Sequence, residues 1–219
     1  MPLKKSCLKV VALDFDGTLV DSNHIKDQAF ETIFSDWPEY CETMMKWHLA
    51  HNTIDRREKF RYFVEEVLDF PDREDLIAEL TAKFSQRTRQ AIIDCPFVEG
   101  ARDFLVYMQK RVAVYLISAT PQLDLNEIIE ERGLGSYFIE VYGAPIDKFE
   151  ILKKIMMVEK VSADKILFIG DSPEDQLAAE SLAIHFIGRQ SDRELNGVTY
   201  SVYTDFIKIK DHLDQNYEL

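Results

Sequence analysis

The sequence predicts an α/β fold: a doubly wound parallel sheet with an inserted α-helical domain near the start of the chain. Two observations carry this. From residue 95 onward, short apolar, β-branched runs alternate with amphipathic helical patterns, which is how strands covered by helices on both faces read in sequence. Residues 21–94 break the alternation and carry helical periodicity with no convincing strand.

Taken in order, Val10–Leu13 is an apolar strand leading into Asp14-Phe15-Asp16-Gly17-Thr18. After the insertion, the periods predict a helix over 99–110, a strand over 112–118 and a helix over 122–132. A strand over 138–142, a helix over 148–158 and a strand over 166–170 follow, then a helix over 174–182 and a short strand over 184–187. Thr120 is the expected N-cap of the second of these helices, with Pro121 as its first residue and Gly133 as its stop. Asp147 is the expected cap of the helix that opens with Lys148. Ser172, Pro173 and Asp175 make a capping box with proline at the first helical position. Sheets of this kind place their sites beyond the carboxyl ends of the strands, and Asp14, Ser118 and Asp171 all fall there.

Within the insertion, Phe60, Phe63, Val64, Val67 and Leu68 follow the spacing of one amphipathic helix face. Helices are also predicted over 24–36, 39–50 and 72–93. The aromatic residues Phe30, Phe34, Trp37, Trp47, Tyr62 and Phe63 read as the core of a small domain. The expected division is therefore a core of residues 1–20 and 95–219 and a helical domain of residues 21–94, with Asp94–Pro96 as a candidate hinge.

Composition sets limits on function. The chain has 219 residues, 46% hydrophobic and 30% charged, the profile of a globular protein with one core domain and a smaller one. No apolar run is long enough to cross a bilayer, and the first residues lack the apolar stretch of a signal peptide. Cys7, Cys41 and Cys95 are scattered and odd in number, which favours reduced packing thiols and a cytoplasmic setting. A net charge of −13 argues against nucleic acid and anionic membranes as partners. A local cation can reverse the sign at a site, so it does not exclude a phosphorylated substrate.

The chemistry concentrates at the strand ends. Asp14 and Asp16 point to one face with Phe15 opposite. Two acids so close repel unless a cation or a proton lies between them. Ser118 lies between a strand end and a helix start, where free N–H groups favour an anion, although the same turn could serve only to cap the helix. Lys148 stands at the positive end of a helix dipole, which suggests a nearby anion; a plain surface lysine is the alternative. Asp171 follows a strand directly, and Asp175 lies four residues beyond it.

Asp14-Phe15-Asp16-Gly17-Thr18 after a hydrophobic strand resembles the first signature of the haloacid dehalogenase superfamily. Ser118, Lys148 and the Asp171/Asp175 pair stand in order as its other three. The likeness covers about residues 5–20 and 95–190, and the helical insertion looks like the cap of the phosphoglycolate phosphatase and β-phosphoglucomutase branch. The resemblance implies a phosphatase acting on a small phosphorylated metabolite through an aspartyl-phosphate. Asp14 would attack phosphorus, and Asp16 would serve as general acid and base. Mg²⁺ would be held by the Asp14 carboxylate, the Asp16 backbone carbonyl and Asp171. Ser118, the Ala119 backbone N–H and Lys148 would hold the phosphoryl oxygens, with Asp175 in support. Dehalogenases of the superfamily have no need of the second acid, so Asp16 favours phosphoryl transfer.

A sugar phosphomutase is the main alternative. Mutases of this branch carry a basic residue in the cap, and Arg56 or Arg57 could serve. His24 is a further candidate substrate contact, although a solvated helix face is the favoured reading for each arginine and a structural role is the commoner one for a lone histidine. A non-catalytic binding protein would be signalled by loss of Asp14, Asp16 or Asp171, and all are present. Phosphonate cleavage would need a desolvated cap lysine, and none of Lys26, Lys46, Lys59 and Lys83 stands in an obviously apolar context. A monomer is expected, with a dimer as the alternative.

Overall fold

The computed structural model describes residues 6–51, 54–191, 193, 195 and 200–219. It divides into two compact units, Met1–Asp21 with Cys95–Leu219, and Ser22–Asp94. In chain order the elements are β1 (Ser6–Cys7), β2 (Val10–Leu13), α1 (Asn23–Phe34), α2 (Pro38–Ala50), α3 (Arg56–Tyr62) and α4 (Glu74–Asp94). Then come α5 (Ala101–Met108), β3 (Ala113–Pro121), α6 (Gln122–Glu131), β4 (Glu140–Ala144), α7 (Lys148–Glu159) and β5 (Ile166–Gly170). The chain closes with α8 (Pro173–Ser181), β6 (His185–Arg189), β7 (Ser201–Tyr203), α9 (Phe206–Asn216) and β8 (Tyr217–Glu218).

The first unit is an α/β layer structure on a six-stranded sheet of order β4-β3-β2-β5-β6-β7, with every pairing parallel. β2 lies at its centre, and all four of its residues are fully buried. Both of its faces are apolar because both are covered by helices. Val10, Ala12, Ile117, Ile166 and Phe168 pack with Ile151, Leu152 and Ile155 of α7 and with Ala178 and Ala179 of α8. Val11, Leu13, Leu116, Leu167 and Ile169 alternate to the other face and are equally buried. The reversal of strand order at β2 puts crossovers on opposite faces of the sheet. β1 and β8 form a separate short parallel pair.

The strand expected over 138–142 lies two residues later, at Glu140–Ala144. Residues Gly135–Tyr137 form a 3₁₀ turn, and Phe138, buried, follows directly as its C-cap, ahead of the strand. α9 follows the helical template plainly: Asp205 accepts the Lys208 N–H as its cap, and Phe206, Ile209 and Leu213 form its buried stripe.

Among its described residues the second unit has four α-helices, with a π-helical turn at Phe63–Val67. Phe30, Phe34, Phe60, Phe63 and Phe84 are buried together in its core, with Trp37, Trp47 and Tyr62 packed against them. Trp47 and Tyr62 stack with centroids 4.3 Å apart. One expectation is corrected here. Lys59 is only 2% exposed, so the unit does hold a desolvated lysine. Its stem follows the apolar face of α3, and its charge is met inside: Nζ donates to His48 Nδ1 at 2.8 Å and lies over the Phe30 ring. His48 Nε2 is 2.9 Å from Asp27 Oδ1, so one polar chain ties α1, α2 and α3 together. The lysine escaped the sequence reading because its partner, His48, is on another helix.

Because Phe60 is fully buried among three other phenylalanine rings, Phe60→Ala should destabilise the second unit by about 3–5 kcal/mol. Urea denaturation measures this, and a loss under about 1 kcal/mol would contradict the packing described.

Candidate active site

The register of the sheet decides which side chains meet. Leu13 is aligned with Leu116 on one side and Ile169 on the other. The residues that follow, Asp14, Ile117 and Gly170, are therefore level, and Asp171 and Ser118 come next on their strands. The Asp14 N–H donates to the Ile169 carbonyl at 2.9 Å, which extends the ladder by one step and fixes the start of its side chain.

Asp14, Asp171 and Asp175 are all buried, and one oxygen from each lies within 4.8 Å of the others. Lys148, the first residue of α7, reaches into this group. Its Nζ donates to Asp14 Oδ1 at 2.7 Å and also to Asp175 Oδ1. The other oxygen of Asp175 accepts from the backbone N–H and the hydroxyl of Ser172, at 3.1 and 2.6 Å, closing the capping box of α8. Both oxygens of Asp175 are thus engaged, which suits it to hold Lys148 in place. This approach requires glycine at position 170: a Cβ there would stand 2.5 Å from the Asp175 side chain.

Burial pushes the Asp14 carboxyl up to about 8. Lys148 opposes this, and the charges of Asp175 and Asp171 add to it. Burial alone would lower Lys148, but Asp14 and Asp175 outweigh it and hold the ammonium above its usual range. With all groups ionised, three carboxylates against one ammonium leave a net charge of −2. Oxygen donors only, buried, with that excess charge, fit a hard divalent cation.

Asp16 belongs to a second set. Its Oδ2 accepts from Thr120 Oγ1 at 2.8 Å and lies 3.5 Å from Ser118 Oγ. The Ser118 hydroxyl in turn accepts the Thr120 N–H at 3.0 Å. Here the expected cap is corrected: β3 continues through Pro121, α6 begins at Gln122, and Pro121 occupies the N-cap position. Thr120 is drawn instead to Asp16, because a buried carboxylate is costly without donors. Alternation along β3 buries Ser118 and Thr120 on one face and exposes Ala119 between them. That spacing was the signal that could have found Thr120. The Asp16 side chain, turned to Thr120, is not one of the three converging carboxylates; the resemblance gives the cation its backbone carbonyl.

Three further residues went unread in the sequence. Thr18 Oγ1 lies 3.5 Å from Asp171 Oδ1. Arg189 Nη1 donates to the Gly17 carbonyl at 2.9 Å. Arg193 is partly buried; burial would lower it, but Asp171, Asp14, Asp16 and Asp175 together hold it above its usual range. No local pattern marks either arginine, since both act across distant parts of the chain. Of the predicted substrate contacts, His24 is exposed in the first turn of α1, and Arg56 lies over the Phe84 ring at 5.8 Å within the second unit. Arg57 pairs with Glu74.

The model of the haloacid dehalogenase-like hydrolase family matches residues 11–189, so the chain belongs to that family and is an enzyme of the hydrolase class. Among its relatives, a phosphoglycolate phosphatase of Photobacterium profundum is 24% identical over 83% of this chain and 82% of its own. A phosphoglycolate phosphatase of Vibrio parahaemolyticus is 28% identical over 80% of each. The crystal structure of a predicted phosphoglycolate phosphatase from Haemophilus somnus superposes with a TM-score of 0.74 at 16% identity, over 94% of this chain and 97% of that one.

Asp14 holds its proton to about pH 8 when folded but releases it near the ordinary carboxylate value when unfolded. The folded state therefore binds the extra proton between those values. The metal-free protein should lose stability as pH rises from about 4 to about 8. With chelator present, the wild-type unfolding midpoint should fall across this window, and Asp14→Asn should flatten the fall. Parallel curves for the two proteins would refute the assignment.

Proposed function

We propose that the chain is a divalent-cation-dependent phosphatase of small phosphate monoesters that works through a phosphorylated Asp14. The observation that carries this reading is the partly buried Lys148 between the buried Asp14 and Asp175, with Asp171 beside them. Asp14, Asp171 and the Asp16 backbone carbonyl would hold the cation, Mg²⁺ in this proposal. When bound, it neutralises the carboxylates and the entering phosphoryl oxygens. It would thus take the place of the proton on Asp14.

The residues then divide the work. Asp14 attacks phosphorus; the P–O bond to the leaving group breaks as the bond to the carboxylate forms. Asp16 gives its proton to the leaving oxygen, then takes one from the water that attacks the phosphorylated Asp14, releasing phosphate. Thr120 keeps Asp16 oriented through its 2.8 Å hydrogen bond. Ser118, the Ala119 N–H and Lys148 bind the phosphoryl oxygens, and Asp175 holds Lys148. The helical unit is the cap, and its His24 and Arg56 are candidates for selecting the ester. Phosphoglycolate is the first ester to test, because the relatives bear its name.

Phosphate release across a panel of glycolate, sugar and nucleoside phosphates, with Mg²⁺ or chelator, tests the reading. Release from one or a few esters, lost in chelator and in Asp14→Asn, is the expected result. Lys148→Ala should lose about 10²–10³-fold in kcat, and Asp16→Asn about 10²–10⁴-fold. No release from any ester by folded wild-type protein would overturn the phosphatase reading; conversion of a sugar phosphate without release would favour a mutase.

A further inference from the structure

Gly17 is the softest point of the loop that carries Asp14 and Asp16. Its φ is +75°, and a residue without Cβ has little preference of its own to hold such a conformation. The loop is held by its partners instead. The N–H groups of Thr18, Leu19 and Val20 converge on the Phe15 carbonyl, at 3.3, 3.0 and 3.2 Å. The Gly17 N–H donates to the Val20 carbonyl at 2.8 Å, which fixes the peptide between Asp16 and Gly17. Across a trans peptide, the Asp16 carbonyl then faces away from that turn.

The next peptide, between Gly17 and Thr18, has its N–H on the Phe15 carbonyl at 3.3 Å, and its carbonyl is held from far along the chain. Arg189, the last residue of β6, donates through Nη1 to the Gly17 carbonyl at 2.9 Å. A charged donor makes this bond stronger than a neutral one. If the plane turned, Thr18 would leave its place beside Asp171. Among the described residues the buried Nε–H of the same guanidinium has no hydrogen-bond partner. An unmet buried donor is destabilising, which offsets part of the stability that the Gly17 bond supplies.

We propose that Arg189 is a positioning residue: it locks the Gly17 carbonyl, and with it the loop that follows Asp16 and places Thr18 beside Asp171. Its kinetic consequence rests on the phosphatase reading above; its effect on the loop does not.

The test compares wild type with Arg189→Met and Arg189→Lys. In Arg189→Met, kcat should fall about 10- to 100-fold, the scale of a small misplacement of reacting groups, with KM nearly unchanged. The unfolding midpoint should stay the same or rise, and added guanidinium ion should restore part of kcat. Arg189→Lys, which keeps the charge but loses the planar donor, should fall between the two. Amide hydrogen exchange should quicken at residues 17–20 in Arg189→Met, whether or not any ester is turned over. Unchanged exchange at those residues overturns the proposal. So does unchanged kcat in an active enzyme, or a kcat loss that merely tracks a lowered midpoint in both variants. An inactive wild type would overturn the phosphatase reading alone and leave exchange to decide this one.

Discussion

The site depends on one ammonium, partly buried, held among buried carboxylates. Lys148 is held by Asp14 and Asp175, and neither acid could be so deeply buried beside Asp171 without it. The arrangement is still short of positive charge, and Asp14 holds its proton well above the usual range because it is buried, with the charges of Asp175 and Asp171 adding to the effect. A site left with excess negative charge in the interior is unstable alone and ready for a cation. The same imbalance that costs the metal-free protein stability is what prepares it to bind one.

The architecture exists to make that imbalance tolerable. β2 is buried on both faces, so its end is a rigid mount for Asp14. Gly170 lets the first turn of α8 close against β5, which brings Asp175 within reach of Lys148. Asp175 thereby serves helix and site at once: one oxygen completes the capping box, the other takes the lysine. The loop after Asp14 is made of weaker parts. It turns on a glycine, and its carbonyl is held by Arg189 from the end of β6, two strands away. Strength is put under the carboxylate cluster, and a clamp under the loop.

Much of this was legible in the chain. Alternating apolar runs and helical periods marked the parallel sheet, because strands covered on both faces cannot be polar. Asp14, Ser118, Lys148, Asp171 and Asp175 stood out because each follows a strand or opens a helix. α9 was legible too, in Asp205, Phe206, Ile209 and Leu213, but went unread. Thr120 was misjudged for a physical reason: a threonine before proline suits a helix cap, and nothing local shows that Asp16 competes for its hydroxyl. Lys59 was misjudged in the same way, since its partner His48 lies on another helix. Arg189 and Arg193 carry no local mark at all.

The sequence by itself determined the class of fold, the helical insertion and the order of acidic, hydroxyl and lysine positions along the chain. Those features follow from hydrophobic period and local capping, which act between near neighbours. Only the tertiary structure decided that Lys148 sits between Asp14 and Asp175, that Thr120 serves Asp16, and that Arg189 holds Gly17. These contacts join residues 27 to 172 positions apart. Such pairings are set by strand register and helix packing, and no pattern within a single segment encodes them.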